Sequence, residues 1–142
     1  MWKENLMDSK TIQRIKNLLA DLELSYSGSP LESIQQAETS LGVSFDKDYI
    51  EFLHLFGSVY AGISIYGVER SEHSGDLTVM SLTSRYRSQG YPVAEGEYVF
   101  SFDASDNPII QNASGTVSLF DHDNGENELA ANSFESLLLK YL

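Results

Sequence analysis

Residues 37–57 read AETSLGVSFDKDYIEFLHLFG, and how this stretch divides decides the fold. Before Gly42, the apolar residues Leu31, Ile34, Ala37 and Leu41 recur at helical spacing and predict a helix over 30–41. Gly42 suits the left-handed position that closes a helix. After the short turn VSF, Asp46 offers a side-chain oxygen to the first free N–H groups of another helix, over 46–56. Tyr49, Ile50, Phe52, Leu53 and Phe56 load that helix with apolar bulk, and Gly57 ends it. Two short helices, each stopped by glycine, form the centre from which the rest of the chain is read.

Toward the N-terminus, Ile12, Ile15, Leu18, Leu19 and Leu22 make one apolar stripe, which predicts a helix over 10–24. SYSGSP then reads as a loop, with Ser29 as cap of the next helix, Pro30 at its first position and Glu32 closing a capping box. Toward the C-terminus the period changes. Strands are predicted over 62–68, 97–103, 108–112 and 116–120, separated by glycine- and asparagine-rich turns short enough for an antiparallel meander. In YVFSFD, alternation places Tyr98, Phe100 and Phe102 on one face and Val99 and Ser101 on the other. TVMSLTSRYRSQG reads as a strand entry followed by a short helix. Asn132 is the expected cap of a final helix over 133–141, whose inward face is Phe134, Leu137, Leu138 and Tyr141. Helices, then strands, then a closing helix define an α+β fold, a single domain over 1–142. Its expected core includes Leu41, Phe52, Leu53, Phe134 and Leu138.

Charge is distributed unevenly. The formal net charge is -12, and from Ser88 to Leu139 there are nine acids and no lysine or arginine. Such a surface repels nucleic acid and anionic membranes and suits a basic protein partner, although acidity also simply favours solubility. Cysteine is absent, which excludes disulfides and thiolate metal sites. No segment has the length of an apolar membrane span, and a soluble, cytoplasmic protein is expected.

SLFDHDNGENELA, 118–130, concentrates Asp121, Asp123, Glu126 and Glu128 around Asn124-Gly125. Against a calcium loop starting at Asp121, the glycine comes one place early, and position 12 is Asn132 rather than glutamate. Asn-Gly instead matches a type I′ turn at the sheet rim. His54, His73 and His122 lie too far apart in sequence for a zinc pattern. His54 reads as a partly buried structural residue, and His122 as either a contact or a turn residue. Glu95 and Glu97 would project together from a strand end. No nucleophile elbow or phosphate loop occurs. No enzymatic activity, metal or cofactor is expected. The candidate partner-binding residues are Glu95, Glu97, Asp103, Asp106, Asp121, His122, Asp123, Glu126 and Glu128, with Tyr66 as an aromatic anchor. Tyr98 could serve as a second anchor, although core packing suits it better.

Glu38, Leu41, Gly42, Tyr49, Phe52, Leu53 and Gly57 fall in the order typical of the SUKH superfamily, and the chain resembles that superfamily over roughly 10–142. ISIYGV is similar to its first strand, GTVSLFDHDNGE to its late strand and turn, and NSFESLLLKYL to its closing helix. Ser44-Phe45 stands where the family usually has leucine-proline, and 69–96 match least. The superfamily includes fungal cell-wall assembly regulators and bacterial immunity proteins. The resemblance implies a protein that binds and neutralises a cognate toxin domain, of nuclease type and basic, as a monomer or weak homodimer. The alternative it implies is a general interaction or regulatory module with no toxin partner.

Overall fold

The computed structural model describes residues 6–142. Helix α1 (Ser9–Asp21) begins where the Asp8 carboxylate accepts the Lys10 N–H at 2.9 Å. It stops at Asp21, short of 24, because Glu23 takes a left-handed φ of 55°. Ile15 and Leu19 are therefore buried, while Leu22, expected on the inner stripe, is 47% exposed. Helix α2 (Leu31–Leu41) is not capped by Ser29. Pro30 is the cap, its carbonyl accepting the Ile34 N–H at 3.2 Å, and no capping box forms. Ser29 is instead buried, its N–H donating to the Leu53 carbonyl at 2.8 Å. A buried peptide group needs a partner, and here the partner lies across the chain rather than in the next turn. Gly42 adopts the expected left-handed conformation, φ 69° and ψ 36°. Leu41, expected in the core, is only half-buried, at the edge of an open cleft shared with Met80 and Arg87. Helix α3 (Lys47–Phe56) is capped by Asp46 as predicted, and it buries Tyr49, Phe52, Leu53 and Phe56.

The expected strand at 62–68 is mostly irregular. Only β1 (Val59–Tyr60) and β2 (Ser64–Ile65) pair, as a small hairpin. The backbone beyond β2 bonds elsewhere: the Tyr66 N–H donates to the Phe100 carbonyl at 2.9 Å, and the Gly67 N–H to Ser58 Oγ at 2.7 Å. Helix α4 (Val79–Ser88) starts directly from a Thr78–Ser81 capping box, with no strand entry.

The main sheet is antiparallel, in the order β3 (Tyr98–Phe102), β4 (Pro108–Gln111), β5 (Val117–Asp121), β6 (Glu126–Ala131). A bulge between Val99 and Ser101 breaks the alternation of β3. Tyr98 and Phe100 face the larger core, whereas Phe102 turns to the opposite face, contrary to the simple period-2 expectation. β6 was not expected, because six residues with two glutamates and a lone exposed leucine carry no apolar alternation. The final helix, α5 (Phe134–Tyr141), is capped by Ser133 rather than Asn132, with the Ser136 N–H donating to Ser133 Oγ at 3.0 Å. Phe134, Leu137 and Leu138 are buried, but Tyr141 is exposed.

One sheet face packs on α3 and α5 through a ring cluster. Tyr49 lies 5.4–5.7 Å between centroids from Tyr98, Phe100 and Phe134, and Phe52 lies 5.5 Å from Phe134. Such pairs contribute about 0.5–1.5 kcal/mol each beyond their area burial. The other face is covered by α4 only over β3 and β4, where Leu82, Tyr86, Val93, Val99 and Ile110 form a second core. β4 is accordingly buried along its whole length, while most of β6 is exposed. The sheet is thus three layers deep at one side and two at the other.

Candidate partner-binding face

The meander brings two turns to the same end of the sheet, one between β3 and β4 and one between β5 and β6. Asn107 joins them: its Oδ1 accepts the His122 N–H at 3.0 Å, and its Nδ2 donates to Asp103 at 3.2 Å. This placement unites Asp103, Asp106, Asp121, His122, Asp123 and Glu126, which the linear sequence only scattered along one acidic half.

The carboxylates there divide into two kinds. Asp103 is used internally, accepting from the N–H groups of Ser105 and Asn107, both at 2.9 Å, and so shaping its own turn. Asp106, held at φ 62°, accepts from the Tyr86 hydroxyl at 2.5 Å and from Arg85 Nη2 at 3.1 Å. Burial, with the Asp106 carboxylate beside it, pushes the Tyr86 hydroxyl well above its ordinary value. These two acids are structural. Asp123, Glu126 and Glu128 are exposed, and Asp121 is half-buried. Asp121 stands directly across from Glu126, and Glu128 lies two residues on along β6, so all three share one face. Like charges placed opposite one another destabilise a hairpin. A cationic partner at this rim would relieve that repulsion.

The turn is not the expected type I′ Asn-Gly turn. Asp121 pairs with Glu126 across a four-residue loop, His122–Gly125, and only Gly125 among these takes positive φ. Asn124 Oδ1 accepts the Glu126 N–H at 2.8 Å, and the Asp121 carboxylate accepts the Asp123 N–H at 2.9 Å. These side-chain bonds add to the backbone bond from the Gly125 N–H to the Asp121 carbonyl, at 2.8 Å, that closes the loop.

Glu95 and Glu97 do not join this face. They lie in a turn at the start of β3, the opposite end of the sheet, where Glu97 Oε1 accepts the Ala94 N–H at 2.8 Å. Tyr66 is buried and stacked on Phe102 at 5.4 Å, so it is packing rather than an anchor. The Tyr98 hydroxyl links the Asp46 N–H to Gln111 Oε1 in the core. His54 Nδ1 lies 3.0 Å from the Ser29 carbonyl. Among the described residues no group of three or more His, Cys, Asp or Glu side chains is arranged to hold a metal. A hollow of 310 Å³ lined by Arg14, Asn17, Asp21, Tyr60 and Tyr141 contains no nucleophile–base pair.

Two features escaped sequence reasoning. The first is Leu129, 67% exposed, on the open half of the sheet face that also carries half-buried Phe120. Its only sequence signal is an apolar residue following two spaced glutamates. The second is a carboxylate cluster formed by Asp46, Asp48 and Glu51 of the α3 start with Glu135 of α5. Glu135 accepts the Asp8 N–H at 2.9 Å and the Thr11 hydroxyl at 2.6 Å, and Glu51 accepts the Met7 N–H at 3.1 Å. Desolvation, then Asp46, Glu135 and Glu51, pushes the Asp48 carboxyl up to about 6. No spacing in the chain could signal a group assembled from the start of α3 and from α5.

Among the described residues no helix is long and apolar enough to cross a membrane. A family model, SUKH_5, described as SMI1-KNR4 cell-wall, matches residues 9–142. No curated protein matches the chain.

Proposed function

This chain belongs to the SUKH superfamily, in its SMI1-KNR4 branch, and on that premise we propose that it is an immunity protein that binds and neutralises a cognate toxin domain without catalysing a reaction. The observation that carries this reading is the carboxylate rim at the β5–β6 end of the sheet. Asp121, Asp123, Glu126 and Glu128 lie within a stretch that contains no lysine or arginine. A nuclease holds the phosphate backbone with a cationic surface. A rim of this charge matches that surface, speeds encounter and competes with nucleic acid for it.

The test is co-expression with the toxin domain encoded beside this gene, followed by co-purification. Survival of the cells and recovery of a complex support the proposal. Cell death with no complex recovered overturns it in favour of an interaction module with other partners.

A further inference from the structure

We infer that the outer edge of β6 receives an extended, basic segment of the partner as a fifth strand of the sheet, an inference that rests on the immunity reading and gives it a binding mode. The two edges of the sheet are treated differently. On β3 the edge is closed: the Val99 N–H donates to Thr83 Oγ1 at 2.9 Å, the Phe100 carbonyl accepts the Tyr66 N–H at 2.9 Å, and the Ser101 hydroxyl donates to the Ser64 carbonyl at 2.6 Å. On β6, among the described residues, no strand lies beyond the edge. Lys140 Nζ covers its far end, at the Ala130 carbonyl, at 2.6 Å. At its near end the Glu126 N–H donates to Asn124 Oδ1 at 2.8 Å, and the edge between these two ends is a template for another strand.

The side chains of β6 specify what that strand must be. Glu126 and Glu128 share one face, and Asn127 and Leu129 share the other. A second copy of this chain would bring its own Glu126 and Glu128 against these, so the carboxylates oppose self-pairing. A strand with lysine or arginine at alternate positions would instead set its cations beside Glu126 and Glu128 and its intervening apolar residues beside Leu129. Main-chain hydrogen bonds then supply affinity, and the alternating side chains supply selectivity. The exposure of Leu129, unusual on so acidic a strand, follows if it is an apolar contact on the face of the edge opposite Glu126 and Glu128.

The probe is an eight-residue peptide alternating lysine with valine and threonine, titrated into the full chain with amide hydrogen exchange read by NMR. Its control is the same peptide N-methylated at alternate residues, which keeps the charge and removes the strand hydrogen bonds. The expected result is exchange slowed about tenfold at amides within 126–131, with affinity reduced about tenfold by N-methylation and by Glu126→Gln with Glu128→Gln. Perturbations centred on 103–107 and 121–125 and indifferent to N-methylation would overturn the inference, as would no binding at all. Either outcome leaves the immunity reading standing, because co-expression with the neighbouring toxin domain decides that separately.

Discussion

Asp48 shows how a single residue couples the fold to pH. Its carboxyl titrates near 6, above the ordinary 3.8, because it is partly desolvated beside three other acids. Asp46 and Glu51 are shifted in the same direction, again by burial first. A carboxyl with a raised pKa binds more protons folded than unfolded in the window between about 4 and 6. Its contribution to stability is therefore greatest at the acid end of that window and is lost as pH rises through it. Asp48→Asn removes the repulsion and keeps a polar side chain of the same size at the site. Two pKa units correspond to about 2.7 kcal/mol, and half-exposure discounts this to about 1 kcal/mol. Urea melts at pH 7 should show the variant more stable by about that amount, with a flatter profile between pH 4 and 6. An unchanged midpoint would mean that Asp48 is solvated. Phe52 makes the complementary prediction for packing. It is fully buried within the ring cluster, and Phe52→Ala should cost about 3–5 kcal/mol. A loss below about 1 kcal/mol in the same melts would contradict that burial.

Single elements are decided by their ends and by their neighbours. The helices of the 37–57 stretch follow from Gly42, Asp46 and Gly57, whose effects are local. β6 is the opposite case, since its sequence contains no apolar alternation and its existence depends on β5 beside it. Charged side chains along an exposed edge oppose its pairing with itself. Replacing both, Glu126→Val with Glu128→Val, should raise strand propensity and remove that repulsion. Sedimentation should then show concentration-dependent self-association absent from the unaltered chain. A variant that stays monomeric throughout would show the edge to be closed by geometry rather than by charge.

For the whole molecule, the decisive quantities are a net charge of -12 and a rim at one end of the sheet where Asp121, Asp123, Glu126 and Glu128 come together. If the partner is basic, its association should slow as salt rises, since the reach of charge is about 8 Å at physiological ionic strength. The structure separates the acids that should matter from those that should not. Asp121→Asn, Asp123→Asn and Glu126→Gln should each mainly lower the on-rate measured by stopped flow. Asp106→Asn should instead lower thermal stability, because the Tyr86 hydroxyl and Arg85 both bond to that carboxylate. The opposite pattern would mean that the turn acids bind and the β5–β6 rim does not.

The sequence by itself determined the α+β class, the helix stops at Gly42 and Gly57, the Asp46 cap and most of the aromatic core, because each depends on residues within a turn or two of one another. It also placed the acidic half of the chain. Only the tertiary structure decided which acids form a face. Glu95 and Glu97 lie close in sequence to Asp103 but start β3 at the other end of the sheet, whereas Asp106 and Asp121 are brought together by an antiparallel return. Tyr66 was assigned to packing, and Phe102 to the second core, by an α4 layer and a β3 bulge with no local signal. Local rules act along the chain, but a shared surface depends on contacts between distant segments, and those exist only once strands have chosen their neighbours.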